Sequence, residues 1–317
     1  MLTNFPVHSK APATAAVIGD SGLIHGYMRY SMKTRNPFEL AGLWWRLLRY
    51  RPDYLVYLMP VRPLAAVRRD ATFFRLAGVR NILGLPSPAE SLHIFDESTG
   101  MFEREASRLA RAISELGDAR IQEPANWDLR FTEAERNKAA QVLRPVDRSR
   151  HIICAPGTKM QAKDWGTENW TALMRRLSQA LPDHGLVLVG APEETATCDF
   201  VGQGWTGKVL NLCGQLSPRE TAAVMDGADV FMGPDSGPMH LAASVRVPCA
   251  IAFSARGKPG IWYPAGTDNQ IVYHKVDCFG CNLETCTVQA KKCLTSISVN
   301  EMYEAVMRAS KLALQSA

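Results

Sequence analysis

The segment Gly233-Pro234-Asp235-Ser236-Gly237-Pro238-Met239-His240-Leu241-Ala242-Ala243 carries the densest chemistry of the 317-residue chain. A turn with two glycines between a buried strand and a helix leaves several backbone N–H groups unpaired at the helix start. With the positive end of the helix dipole these suit a phosphate, and a diphosphate is the natural guest. Asp235 and Ser236 can cap that helix, and His240, near its first turn, can reach the same ligand. Taken singly, each also fits as a cap or a core histidine. A second segment, Pro156-Gly157-Thr158-Lys159-Met160-Gln161-Ala162-Lys163-Asp164-Trp165, offers a hydroxyl and two lysines to phosphate oxygens from a strand-end loop. It lacks the G-x-x-x-x-G-K-[ST] spacing of a Walker A loop, and no predicted strand runs into the G-x-G-x-x-G of a nicotinamide dehydrogenase.

The elements that must hold these loops read as alternating strands and helices. Strands are predicted over 151–155, 185–189, 209–212, 230–232 and 250–253, and helices over 168–179 and from a Ser217/Glu220 capping box to 228. This alternation predicts a parallel sheet with helices on both faces, whose ligands bind beyond the carboxyl ends of the strands. The loops at 157–163, 190–194 (GAPEE) and 233–237 all fall on that edge. The first half is α/β in character but less regular. Its signals are at 2–5, 15–18, 54–59 and 81–85, with helices around 40–50, 64–77 and 101–116. A polar linker at 143–150 divides the chain into domains 1–148 and 149–317, the second closing with an amphipathic helix over 297–314 that can pack back across the domains.

PGTKMQAKDWGTENWTAL, GAPEE, LCGQLSPRETAAVMDGADVFMGPDSGPMHLAASVRVP and CFGCNLETC, taken in order, resemble glycosyltransferase family 9, the heptosyltransferase family of lipopolysaccharide synthesis. The resemblance covers residues 151–308. It implies an α/β GT-B architecture, two Rossmann-like domains with parallel sheets facing a cleft. It also implies sugar transfer with inversion, no metal or cofactor for the chemistry, and a nucleotide-diphosphate sugar as donor, with ADP-heptose one such donor. Carried over by position, Thr158 and Lys163 would contact the diphosphate and Glu194 the ribose, while Asp235, Ser236, Gly237 and His240 would cradle phosphate and sugar. The acceptor would be an anionic, lipopolysaccharide-type glycolipid or glycan, met peripherally at the cytoplasmic side of the inner membrane, and not a nucleic acid. Members of the family open with a strand and a Gly-Asp loop whose aspartate serves as general base. Here Met1–Phe5 resembles the second strand, as though the opening unit were truncated, and Asp20 of Ile18-Gly19-Asp20 is a candidate base in a different context. A nucleotide-sugar-binding or assembly protein without a base is the alternative.

Composition agrees with a folded globular protein: 46% hydrophobic and 21% charged residues exclude disordered and coiled-coil classes. No apolar run nears the roughly 18 residues of a membrane span and no signal-peptide order opens the chain, so a cytoplasmic address is expected. Residues 1–150 carry 22 Lys+Arg against 16 Asp+Glu, and residues 151–317 carry 14 against 15. Between Arg29 and Arg80 stand eleven basic residues and three acids, a surface that attracts anions if it is not simply a solvated helical face. Arg62, Arg68 and Arg69 are candidates for anionic acceptor groups. Glu103 reads as a first-turn glutamate that either faces the cleft or is solvated. Of eight cysteines, Cys154, Cys198, Cys213 and Cys249 read as buried thiols. Cys278, Cys281, Cys286 and Cys293 read as a zinc knot or as reduced, partly buried thiols.

Overall fold

The computed structural model describes residues 1–5, 12–31, 34–87, 92–146 and 150–310. In chain order the strands are β1 (Leu2–Phe5), β2 (Met28–Ser31), β3 (Tyr54–Val56), β4 (Asn81–Leu83), β5 (Phe95–Asp96), β6 (Met101–Phe102), β7 (His151–Cys154), β8 (Gly185–Leu188), β9 (Val209–Asn211), β10 (Phe231–Pro234), β11 (Cys249–Phe253) and β12 (Gln270–Tyr273). The helices are α1 (Thr14–Ile18), α2 (Pro37–Tyr50), α3 (Leu64–Leu76), α4 (Glu105–Ala112), α5 (Glu133–Val142), α6 (Thr167–Ala180), α7 (Thr195–Gly202), α8 (Pro218–Met225), α9 (Gly237–Ser244), α10 (Lys292–Thr295) and α11 (Val299–Ala309). Two compact units result. The first takes in Met1–Ser9, His25–Asn126 and Gly260–Trp262; the second takes in Lys10–Ile24, Trp127–Pro259 and Tyr263–Ala317.

In the second unit, runs such as Ile152-Ile153-Cys154 and Leu186-Val187-Leu188 are apolar on both faces, a pattern satisfied only inside a sheet covered on both sides. β7 to β12 form that sheet, all parallel, in the order β12-β11-β10-β7-β8-β9. Because strand side chains alternate, Ile152 and Cys154 join a core with Trp170, Leu173, Met174 and Leu177 of α6 and Met302, Ala305 and Val306 of α11. Ile153 and Ala155 face the other way, into a core with Val224 and Met225 of α8 and Met239 and Ala242 of α9. Ser217 and Glu220 form the expected capping box of α8. α11 packs mainly on α6, β11 and β12 of its own unit, and residues 311–314 of the expected tail helix lie outside the described residues.

Helix α5 belongs with this second unit. Ala139, Leu143 and Val146 are in its core, and the Thr132/Glu135 capping box that starts it was available in the sequence. The domain boundary at 148/149 falls on residues 147–149, outside the described residues, as does part of the linker at 143–150.

In the first unit the strands form two parallel pairs, β1 with β2 and β3 with β4, and an antiparallel hairpin of β5 with β6. The helix expected over 101–116 begins instead at Glu105. Met101 and Phe102 pair with Asp96 and Phe95, because the Asp96 carboxylate accepts hydrogen bonds from Ser98 and Thr99 and closes a tight turn. Leu43 and Leu47 of α2 meet Ala77, Leu2, Met28 and Phe73 in a small core.

One buried cation ties several segments of the second unit together. Arg219 of α8 donates to both carboxylate oxygens of Glu135, at 2.5 and 3.0 Å, and to the carbonyls of Leu129, Arg130 and Val17. Arg219 hydrogen bonding, against the opposing effect of burial, holds the Glu135 carboxyl below its ordinary value. Arg219→Ala leaves a sheltered carboxylate and three carbonyls without their donor, and should lower unfolding stability by about 3 kcal/mol in urea titrations. A carboxyl with a depressed folded-state pKa contributes stability above its unfolded value and loses it as pH falls through the folded value. The gap between wild type and variant should therefore narrow only below the ordinary carboxylate range.

Candidate functional site

The strand order of the second unit reverses between β7 and β10. From β7 the chain runs outward through β8 to β9, then returns to β10 and runs the other way to β12. Loops leaving β7 and β10 therefore set out toward opposite faces at the carboxyl edge, the place where open α/β sheets bind ligands. With β8 adjoining β7, three of the strands that carry the predicted motifs are neighbours, and their loops emerge side by side.

Lys163 spans the reversal from the single helical turn Gln161–Lys163. Its Nζ donates to the Asp235 carbonyl at 2.5 Å and lies 3.2 Å from the Asp235 carboxylate. Asp235 is buried, and burial pushes its carboxyl above the ordinary value against the pull of the Lys163 ammonium. The backbone N–H of Ser254, at the end of β11, approaches the other carboxylate oxygen at 3.5 Å. Ser254 was missed in the sequence, although its place after the strand next to β10 was a usable signal. Ser236 stands at the N-cap of α9, makes no side-chain cap bond, and keeps a buried hydroxyl with no hydrogen-bond partner. At Gly237 a Cβ would meet open space. His240 keeps solvent-accessible surface, yet the protein packed around it, together with the Lys163 charge, pulls its imidazole down to about 4.

The other two loops meet through glycine. Glu194 closes the turn Pro192–Glu194, and its carboxylate accepts the Ala191 N–H at 2.7 Å. That carboxyl lies so close to Gly157 that any Cβ there would collide with it, and a Cβ on Gly190 would fall 2.5 Å from its Oε2. Gly214, at φ +73°, passes the same turn where a Cβ would stand 2.8 Å from Pro192 Cα. The Thr158 hydroxyl accepts the Met160 N–H at 3.3 Å, and Lys159 pairs with Glu193 at 3.3 Å. The structure thus sets Lys163 on Asp235 and Gly157, next to Thr158, on Glu194.

A distant segment supports the lysine turn on both sides, and nothing near 161–164 in the sequence announces it. Gln161 Oε1 accepts the Cys286 N–H at 2.9 Å, and the Ala162 N–H donates to the Glu284 carbonyl at 3.0 Å. Lys291 Nζ donates to the Asp164 carbonyl and carboxylate at 2.9 and 3.3 Å. In the same segment Cys278, Cys281, Cys286 and Cys293 line a small, partly open hollow with Arg256, Lys291 and Lys292. Among the described residues no three potential metal ligands are gathered as metal binding would gather them, so the zinc-knot alternative gains no geometric support. Backbone N–H groups of residues 289, 291 and 288 lower the Cys286 thiol, while burial raises that of Cys293. Cys154, Cys198, Cys213 and Cys249 are buried thiols.

Residues singled out in the first half have their own partners. Glu103 accepts the Ile94 N–H and pairs with Arg111. Arg62 and Arg69 both pair with Asp70, and Arg68 is exposed. Asp20 is exposed in the turn Gly19–Ser21, and α1 before it packs on α8, where Arg219 donates to the Val17 carbonyl.

Over 135 residues the chain is 27% identical to lipopolysaccharide heptosyltransferase 3 of Escherichia coli, a match covering 42% of this chain and 37% of that protein. The chain thus spans well under half the length of this curated relative. Among solved structures it resembles a family 9 glycosyl transferase from Veillonella parvula, with a TM-score of 0.69 at 15% identity over 93% of this chain and 85% of that one. It also resembles E. coli ADP-heptose lps heptosyltransferase II, with a TM-score of 0.59 at 15% identity over 92% and 85%. These likenesses carry the fold, which is of the GT-B type. The model of glycosyltransferase family 9 (heptosyltransferase) matches residues 92–292, more than half of the sequence and all three site loops. The chain therefore belongs to glycosyltransferase family 9.

Proposed function

We propose that this chain is an inverting, metal-independent glycosyltransferase. It would move a sugar, with heptose from ADP-heptose the favoured case, to an anionic lipopolysaccharide-type acceptor at the cytoplasmic face of the inner membrane. The observation that carries this proposal is the meeting of Lys163 with Asp235 where the strand order reverses, beside the start of α9. A diphosphate laid there gains the Lys163 ammonium, the free N–H groups of the α9 terminus and the unpartnered Ser236 hydroxyl. As the glycosidic bond to the donor breaks, charge grows on the departing diphosphate. Groups already aimed at that charge favour the transition state over the ground state. Glu194, fixed against Gly157 and Gly190, suits two ribose hydroxyls, and neutral His240 can accept or donate a hydrogen bond without adding charge. Inversion needs a single displacement with a base on the acceptor hydroxyl. Asp20 is the candidate base from sequence, and donor binding without transfer is the alternative reading.

Calorimetric titration with ADP, ADP-heptose and UDP-glucose tests the assignment. ADP compounds should bind best, and Lys163→Ala should weaken ADP by about 10- to 100-fold, the worth of a charge-assisted phosphate contact. Unchanged affinity overturns the assignment, and sugar transfer to a lipopolysaccharide acceptor separates an active enzyme from a donor-binding protein. Gly157→Ala should unseat Glu194 and cost nucleotide affinity about tenfold. Its melting temperature should move by only a few degrees, since the displaced group is a flexible side-chain end. By NMR titration His240 should stay neutral down to about pH 4. Lys163→Met should raise its midpoint, because the lysine charge disfavours a second cation.

A further inference from the structure

Helix α2 turns Leu43 and Leu47 into the core of the first unit. Its opposite face, formed by residues 38, 41, 42, 45 and 49 at the spacing of one helical stripe, is exposed, with the exposed residues 46 and 50 to one side of it. That stripe presents Phe38 and Trp45, 86% and 57% exposed, and Tyr50, 70% exposed, flanks it at the last residue of the helix. Beside the rings stand Arg49 and Arg46, the latter donating to the Gly42 and Arg29 carbonyls, and no acid. The one carboxylate of the helix, Glu39, accepts hydrogen bonds from the Ser31 N–H and the Thr34 hydroxyl at 2.5 and 2.6 Å. Leu76, 69% exposed, extends the surface, since its carbonyl accepts the indole N–H of the neighbouring Trp44, and Arg75 precedes it.

Large rings alternating with guanidinium groups on one helical face match the boundary layer of a bilayer. There the rings enter the headgroup and upper acyl region and arginines meet lipid phosphates. We propose that α2 is a docking helix that lies in the plane of an anionic phospholipid surface, with Phe38 and Trp45 inserted, Tyr50 and Leu76 flanking them at the headgroup level, and Arg46, Arg49 and Arg75 on the phosphates. Eleven basic residues against three acids between Arg29 and Arg80 supply the longer-range attraction. Among the described residues no helix is long and apolar enough to cross a membrane. Single-stranded RNA could stack on the rings and pair with the arginines, but it has no use for Leu76, which bilayer hydrocarbon accepts. The inference rests on the proposed function for the identity of the membrane, and not for the contact itself.

The test is sedimentation of the full chain with phosphatidylcholine vesicles and with mixed phosphatidylcholine–phosphatidylglycerol vesicles over a range of salt. Wild type should bind the mixed vesicles and lose affinity as salt rises. The triple variant Phe38→Ser/Trp45→Ser/Tyr50→Ser should partition about tenfold more weakly or worse. Arg49→Gln/Arg75→Gln should bring mixed vesicles toward the phosphatidylcholine level and flatten the salt dependence. Brominated lipid should quench part of the wild-type tryptophan emission and less of it in Trp45→Phe. Circular dichroism melts and ADP affinity, measured in parallel, should stay at wild-type values in every variant. Wild-type partition by the triple variant, indifference of the wild type to mixed vesicles, or binding of single-stranded RNA in place of vesicles overturns the proposal. Vesicle binding lost with ADP binding intact removes only the docking helix, whereas vesicle binding by a chain that ignores ADP removes only the sugar-transfer assignment.

Discussion

Lys163 donates to the Asp235 carbonyl and faces the Asp235 carboxylate across the line where the strands of the second unit change direction. Parallel strands that wind outward on both sides of a starting strand must leave a gap between the first loop of each half. Here a lysine from one half is seated just past the first strand of the other. The cation is partly sheltered and the carboxylate is buried, so each would be costly alone, and the pair holds the two loops at a set separation. The unpaired Ser236 hydroxyl follows Asp235 directly, at the start of α9.

Glycine does for the remaining loops what the ion pair does for these two. Backbone at Gly157 and Gly190 approaches the Glu194 carboxyl more closely than any residue with a Cβ permits. The acid is therefore held by shape as well as by the Ala191 N–H. The sheet edge thus has one side fixed by charge and one fixed by shape.

Much of the second unit was legible because its signals are local. Continuous apolar runs such as Leu186-Val187-Leu188 can only be covered strands, and Ser217 with Glu220 can hardly be other than a helix start. The strands β7, β8, β9 and β11 fall within about a residue of the expected bounds. What escaped depends on partners distant in sequence. Gln270–Tyr273 is only half-buried and reads as a strand only because β11 offers it an edge. Met101 and Phe102 have the periodicity to begin a helix, and the Asp96 turn draws them into a hairpin. The arginines of the first half read as free anion binders, yet Arg62 and Arg69 share Asp70. Charge patterning sees composition and cannot see pairing.

The segment that steadies the lysine turn lies more than 120 residues farther along the chain, where the Cys286 N–H and the Lys291 ammonium find Gln161 and Asp164. Contacts of such long sequence separation form late, because the intervening loop must be closed before they give any return. During synthesis the β7 strand and its neighbours can assemble while the lysine turn is still loose. That turn is fixed only when the cysteine-bearing segment has emerged and docked, so this stretch of the sheet edge is among the last parts of the growing chain to order.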